Sequence, residues 1–308
     1  MKIYLDKRGF DKKHVHDLLK EHPGLFTLTL DRDIDIAFCY ANILRKENLQ
    51  NLPNLKWVQL LSAGYDGADI DEMKKRKLVV TNAKGVFSIT IAEDIVTKIL
   101  VLNRAVKEYI RQMDKGEWLP HRYESEIFGS TIGFLGAGSI ATEAAKRLKA
   151  FEAKLICYRH SPKKDPAFDE AYTGPEGLKH VLQVSDVIVI ALPLTKDTAN
   201  IISKDTISLM KKTAIIVNVG RGGLINQDDL IEALKSNRIK GAALDVATPE
   251  PLPSTSPLWH MDNVYITPHD STSSPYKFDR LESLVLDNLY VYTANESLDN
   301  VIFDFRKA

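Results

Sequence analysis

The stretch Ile132-Gly133-Phe134-Leu135-Gly136-Ala137-Gly138-Ser139-Ile140-Ala141 leaves the backbone little choice of fold. Thr131 to Leu135 is an apolar run of strand length. Gly-Ala-Gly ends it, and Ile140, Ala144, Ala145 and Leu148 then recur at helical spacing. Gly136 permits the tight turn from strand to helix. Gly138 lets a ligand approach the main chain, and Ala141 is small enough for the helix to pack on the strand. The helix start at Ser139 and Ile140 offers unpaired N–H groups and a partial positive charge, which suits a dinucleotide pyrophosphate. A glycine pattern alone is weak; a strand before it and a helix after it make a ligand-free turn the poorer reading.

Sites that bind NAD usually place an acidic residue about 20 positions on, at the tip of the second strand. Here that strand is Lys154–Tyr158, and the residues after it are Arg159-His160-Ser161-Pro162-Lys163-Lys164. Arg159, His160 and Ser161 therefore stand where a carboxylate is expected. A planar fork of donors matches the oxygens of an adenosine 2′-phosphate, so the tip reads as a preference for NADP(H), with NAD(H) as the alternative. An ordinary solvated basic loop is the competing interpretation.

The motif begins near residue 131 of 308, so a domain-sized segment precedes it. Short apolar runs alternate with helical ones throughout: Lys2–Leu5, Phe26–Leu30, Ile34–Tyr40 and Trp57–Leu61 before the motif. Val187–Ala191, Ala214–Asn218, Ala242–Val246 and Val264–Ile266 follow it. That pattern predicts an α/β chain of two Rossmann-like, doubly wound parallel-sheet domains. The first is flavodoxin-like and discontinuous, residues 1–98 plus 277–308, because the helical pattern of 279–291 returns to it. The second, residues 99–276, binds the dinucleotide. Between them, Thr90-Ile91-Ala92-Glu93 reads as a capping box. The apolar face Ile95, Ile99, Leu102, Val106, Ile110 and Met113 predicts one helix of about 24 residues, roughly 36 Å long. A polar, extended stretch follows Gly116, from Glu117 to Ser130.

Lys plus Arg equals Asp plus Glu at 41 each, so no global field draws the chain to nucleic acid or acidic membrane. Its two cysteines lie in apolar strand-like runs, which suits a reduced compartment. Charge in the first residues does not fit a signal peptide, and no apolar run reaches a membrane span. The expectation is a cytoplasmic protein without a resident metal.

Three polar groups follow strand carboxyl ends, where open α/β sheets place their working groups. Arg221 follows Ala214–Asn218, Glu250 follows Ala242–Val246, and His269 follows Val264–Ile266. Each alone could be a surface or loop residue. Together, a cation, a carboxylate and an imidazole suit hydride transfer to a 2-keto acid. Histidine can deliver the proton to the developing alkoxide, and arginine can bind a carboxylate or polarise the keto oxygen.

The chain resembles the D-isomer-specific 2-hydroxyacid dehydrogenases, the group containing glyoxylate/hydroxypyruvate reductases, D-lactate dehydrogenases and phosphoglycerate dehydrogenases. The segments that carry the resemblance are Leu61-Ser62-Ala63-Gly64-Tyr65-Asp66, Asn82 to Glu93, the glycine motif and Leu192-Pro193-Leu194-Thr195. Asn218 to Gly223, Asp245 to Pro253 and Thr267-Pro268-His269 complete the set. The resemblance implies that Arg221, Glu250 and His269 are the catalytic set, with the 29-residue spacing of Arg221 and Glu250 selecting Glu250. It implies that Ser62, Ala63 and Gly64, with Arg221 and His269, hold the substrate. It further implies that Leu192, Pro193, Thr198, Val219, Gly220, Arg221, Asp245, His269 and Ser271 line the cofactor. A small 2-keto or 2-hydroxy acid substrate and a homodimer follow from the same resemblance. Asp270 stands where an apolar residue is common, and Glu152 where glycine is. A dinucleotide-sensing, co-repressor-like protein is the alternative from another class. A formate or phosphite oxidiser is a third reading, disfavoured by the basic tip.

Overall fold

A computed structural model describes residues 1–120, 125–163 and 165–306. Lys164 of the basic tip and the middle of the stretch after Gly116 lie outside the described residues. Two compact units form: residues 1–87 with 274–308, and residues 88–273. In chain order the first unit begins β1 (Ile3–Leu5), α1 (Lys12–Glu21), β2 (Phe26–Thr27), β3 (Ile36–Cys39) and α2 (Lys46–Gln50). It continues with β4 (Trp57–Leu60), α3 (Ile70–Lys75) and β5 (Val79–Thr81). The second unit contains α4 (Ser88–Asn103), α5 (Val106–Lys115), β6 (Thr131–Leu135), α6 (Ser139–Lys149), β7 (Lys154–Tyr158), β8 (Glu170–Tyr172) and α7 (Gly174–Val184). Next come β9 (Val187–Ile190), α8 (Lys204–Leu209), β10 (Ile215–Asn218), α9 (Gln227–Lys235), β11 (Gly241–Leu244) and β12 (Val264–Ile266). The chain then returns to the first unit with α10 (Lys277–Thr293) and β13 (Val301–Phe303).

The first sheet has strand order β13-β5-β4-β3-β1-β2, parallel except for β13, which pairs antiparallel with β5. Successive strand residues point to opposite faces, and here both faces are covered. Ile3, Leu5, Ile36, Phe38 and Trp57 enter one core, which α10 closes through Leu281, Val285 and Leu289. Tyr4, Ala37, Cys39, Val58 and Leu60 enter the other. That is why these strands read as continuous apolar runs.

The second sheet is parallel throughout, ordered β12-β11-β10-β9-β6-β7-β8. The chain winds from β6 outward to β8, then crosses back to β9 on the other side of β6. The carboxyl ends of β6 and β9 therefore flank the switch point at which open α/β sheets bind ligands.

Three expectations are corrected. The single long helix is two, because Ala105 adopts a left-handed conformation (φ +48°) between α4 and α5. Its start is Ser88, so Thr90 is inside the first turn and does not cap it. The first unit boundary also falls before α4 and not within it, since α4 packs along α6 and against β10, β11 and β12 as one piece. Glu152, in the turn between α6 and β7, sits at φ +58°, a backbone conformation that accounts for a glycine being common there.

Candidate active site

The turn after β6 is fixed by close packing. Gly136 is at φ +103°, and a Cβ there would lie 2.7 Å from Ala191 O at the end of β9. Gly138 is the N-cap of α6, has no side-chain capping bond, and faces open space. Ala141 is fully buried against the sheet. A bare glycine, an uncapped helix start and the switch point coincide, so the residues fit a dinucleotide pyrophosphate at the amides of Ser139 and Ile140. Ser139 Oγ also accepts a hydrogen bond from Ser88 Oγ at 2.9 Å, which ties α4 to this turn.

At the tip of β7, Arg159 is half-buried and its Nη1 donates to Lys163 O at 2.7 Å, folding the guanidinium over its own loop. His160 and Ser161 are exposed beside it. A carboxylate that the sequence pattern did not flag also stands near: Asp165 Oδ2 accepts from Thr142 Oγ1 of α6 at 3.2 Å. The tip is therefore basic but not free of acid. After β9, Leu192 is half-buried and Pro193 exposed, and Thr198 Oγ1 donates to Pro193 O at 2.7 Å, shaping the loop.

The loop after β10 is organised by Asn218, a buried residue the sequence reading left without a role. Its Oδ1 accepts from Gly220 N–H at 3.0 Å, and its Nδ2 donates to Arg221 O at 3.0 Å. Val219 is buried, and Arg221 Nη1 donates to Gly220 O at 2.8 Å. Gly222 lies so close to the loop after β11 that a Cβ would be 2.0 Å from Ala247 O.

Glu250 bridges the loops after β11 and β12. Its Oε1 accepts from Ala247 N–H at 3.1 Å, and its Oε2 meets His269 Nδ1 at 2.8 Å. Both side chains remain partly exposed, at 40% and 44%. Among the described residues no hydrogen bond engages His269 Nε2. Asp245 is buried beneath them. Its main-chain oxygen accepts from His269 N–H at 2.8 Å, and its carboxylate accepts from Asp270 N–H at 3.2 Å and Ser271 N–H at 3.3 Å. An apolar cavity of about 370 Å³ adjoins the pair, lined by Val246, Pro251, Leu252, Trp259, Ile266 and Pro268. The imidazole is thus aimed by a carboxylate on Nδ1 while Nε2 stays open, an arrangement able to deliver or accept one proton.

The structure accordingly brings Glu250, His269, Asp245 and Ser271 together, with Arg221 on the adjoining strand end. Ser62, Ala63 and Gly64 belong to the first unit. Ser62 O accepts from Ala83 N–H at 3.1 Å, Ala63 O from Asn82 Nδ2 at 2.8 Å, and Ser62 Oγ donates to Gly64 O at 2.8 Å. Among the described residues no main-chain hydrogen bond uses the N–H of Ala63 or Gly64.

Residues 96–271 match the model of the D-isomer specific 2-hydroxyacid dehydrogenase NAD binding domain. A glyoxylate reductase of Thermofilum pendens is 34% identical over 86% of this chain and 80% of its own. The chain belongs to the D-isomer specific 2-hydroxyacid dehydrogenase family. Among solved structures, an acyclic imino acid reductase in complex with NADPH and D-arginine superposes with a TM-score of 0.84 at 26% identity, covering 98% of this chain and all of that one. An NADPH-dependent glyoxylate/hydroxypyruvate reductase from Sinorhizobium meliloti, in complex with NADP and sulfate, gives 0.80 at 25% identity, covering 98% and 97%. This dehydrogenase is thus an NAD(P)-dependent oxidoreductase acting on CH–OH groups, and its second unit is the dinucleotide-binding domain. No helix among the described residues is long and apolar enough to cross a membrane, and no group of three or more His, Cys, Asp or Glu among them could hold a metal ion.

Proposed function

We propose that this family member is an NADPH-preferring reductase of a small 2-keto acid, glyoxylate or hydroxypyruvate. The observation that carries the reading is the Glu250–His269 pair at 2.8 Å with Nε2 open, set at a strand end beside Asp245. When bound at this turn, NADPH would supply a hydride to the C2 carbonyl, leaving negative charge on its oxygen. His269 Nε2–H donates its proton to that oxygen, and the product is the 2-hydroxy acid. Glu250, accepting from Nδ1–H, fixes the ring and balances its charge while the proton is carried. Arg221 binds the substrate carboxylate and polarises the keto oxygen, and the Ala63 and Gly64 amides take the remaining carboxylate oxygen.

Gly136, Gly138, Ser139 and Ile140 hold the pyrophosphate by the same reading, and Leu192, Pro193, Thr198, Val219, Gly220, Asp245 and Ser271 line the rest of the cofactor. Arg159, His160 and Ser161 take the 2′-phosphate in this reading, and the NADPH and NADP complexes of the two structural relatives support the cofactor preference. A homodimer is part of this proposal. Ile110, Met113, Trp118 and Leu119, on and after α5, are exposed apolar side chains of the kind an oligomer covers.

The test is a panel of NADPH and NADH oxidation with glyoxylate, hydroxypyruvate, pyruvate and branched keto acids, run beside His269→Ala. Turnover with NADPH and a small keto acid is expected, falling roughly 10²–10⁴-fold in the variant. Undiminished turnover in His269→Ala would remove the histidine from the mechanism.

A further inference from the structure

Lys98 is the least expected residue of the second unit. It lies within α4 and is fully buried, on a helix whose other inward residues include Ile91, Ile95 and Ile99. Taking an ammonium out of water is costly unless a carboxylate meets it, and a well-packed apolar side chain would fill the space without that cost. Carboxylates reach it from two elements. Asp94, one turn earlier on α4, accepts a hydrogen bond from Lys98 Nζ, and Asp245 Oδ1 lies 4.0 Å away at the end of β11. Burial raises the Asp94 pKa, with Lys98 opposing that shift and Asp245 adding to it.

The second contact leads to the catalytic loop. The Asp245 carboxylate, 2% exposed, is the clasp of residues 267–271. Oδ1 accepts from Thr267 Oγ1 at 2.6 Å and from Asp270 N–H at 3.2 Å, while Oδ2 accepts from Ser271 N–H at 3.3 Å. His269 sits between these anchors at φ +55°, a left-handed conformation that a residue with a Cβ holds only when its surroundings impose it.

We propose that Lys98 is a positioning residue whose buried charge holds the Asp245 carboxylate in the geometry that clasps the 267–271 loop and so aims the His269 imidazole. The proposal rests on the assignment of His269 as the proton donor. Lys98 touches neither substrate nor cofactor in this account; it acts through Asp245.

Lys98→Met removes the charge at nearly constant volume. It is expected to lower kcat by about ten- to a hundred-fold, the scale of a misaimed catalytic group, while KM for the keto acid changes far less. Hydrogen exchange is expected to show lost protection at the amides of His269, Asp270 and Ser271, with β6 and α6 unchanged. Lys98→Arg, which keeps the charge, is expected to recover most of both. Where the Met variant does not fold, Lys98→Gln is read against Lys98→Arg, and equal behaviour of those two overturns the proposal. A folded Lys98→Met enzyme with parental kcat overturns it, as does a kcat loss with loop protection intact. His269→Ala assayed in parallel separates the two ideas. Parental turnover there sinks the proton-donor assignment, whereas its loss alongside an unaffected Lys98→Met sinks only the role of Lys98.

Discussion

Replacing Gly222 with Ala probes whether the site depends on two loops pressed together, without altering a group that meets substrate. A Cβ at Gly222 would lie 2.0 Å from Ala247 O and 2.2 Å from Ala247 C. These are main-chain atoms and cannot swing aside, so the loops after β10 and β11 must part by more than about 1 Å to regain an ordinary separation of roughly 3.5 Å. Ala247 N–H anchors Glu250 Oε1, and Oε2 of the same carboxylate holds His269 Nδ1. The displacement is therefore passed to the imidazole. A misplacement of about 1 Å costs on the order of 100-fold in rate, or about 2.7 kcal/mol of barrier. The clash itself costs about 1–3 kcal/mol of stability. Steady-state kinetics should show kcat down by about two orders of magnitude, while urea unfolding still reports a cooperative fold. NADPH binding, followed by fluorescence titration, should weaken less than kcat falls, because the pyrophosphate turn at 136–141 is untouched and only Val219, Gly220 and Asp245 of the proposed cofactor lining stand at the parted loops. A folded Gly222→Ala enzyme with kcat within about twofold of the parent would refute the chain from Ala247 through Glu250 to His269.

Arg159→Asp should shift the ratio of kcat/KM for NADPH over NADH toward NADH by roughly 10–100-fold, the worth of one charge-assisted contact; an unmoved ratio removes Arg159 from the phosphate site. His14 of α1 lies between Asp11, at 2.7 Å, and Asp279 of α10, at 2.9 Å, with Glu282 at 3.8 Å. Burial works to lower its pKa, but these carboxylates outweigh burial and raise it. A raised folded value means that its stabilisation is complete below the unfolded pKa of about 6.5 and is lost as pH climbs through the folded value. The urea midpoint should therefore fall more steeply above about pH 6.5 in the parent than in His14→Ala, and parallel curves would contradict the assignment. Burial pushes the Cys157 thiol up to about 11 and raises that of Cys39 as well. Because the thiolate is the reactive form, a disulfide reagent at neutral pH should label both only on unfolding, and fast labelling of the native protein would count against this.

The parts of the fold that could be read from the sequence are those whose physics is local. Ile3, Ile36 and Trp57 face one core and Tyr4, Ala37 and Val58 the other, so a doubly covered parallel sheet leaves an unbroken apolar run in each strand. The glycine turn is equally local, since φ +103° at Gly136 admits little else. The break between α4 and α5 carries no such mark. Arg104 and Ala105 are good helix formers, and only the packing around them decides that Ala105 turns left-handed. β5, β8 and β13, each three residues long, escape notice.

In the site the same division holds. Glu250 and His269 stand beyond strand ends, where an open sheet gathers its polar groups, and they proved to be 2.8 Å apart. Asp94 and Lys98 are spaced four residues apart, which in a sequence describes an ordinary solvated helix pair. Nothing local distinguishes such a pair from a buried one. The difference lies in which face of α4 meets β10, β11 and β12, a property of the assembled sheet. Asp165 escapes for a related reason: it becomes a neighbour of the dinucleotide turn only through Thr142 on α6. Chain position therefore reveals the groups that a strand end presents. The charges that orient those groups from behind come from helices packed across the sheet, and only three-dimensional packing shows where they point.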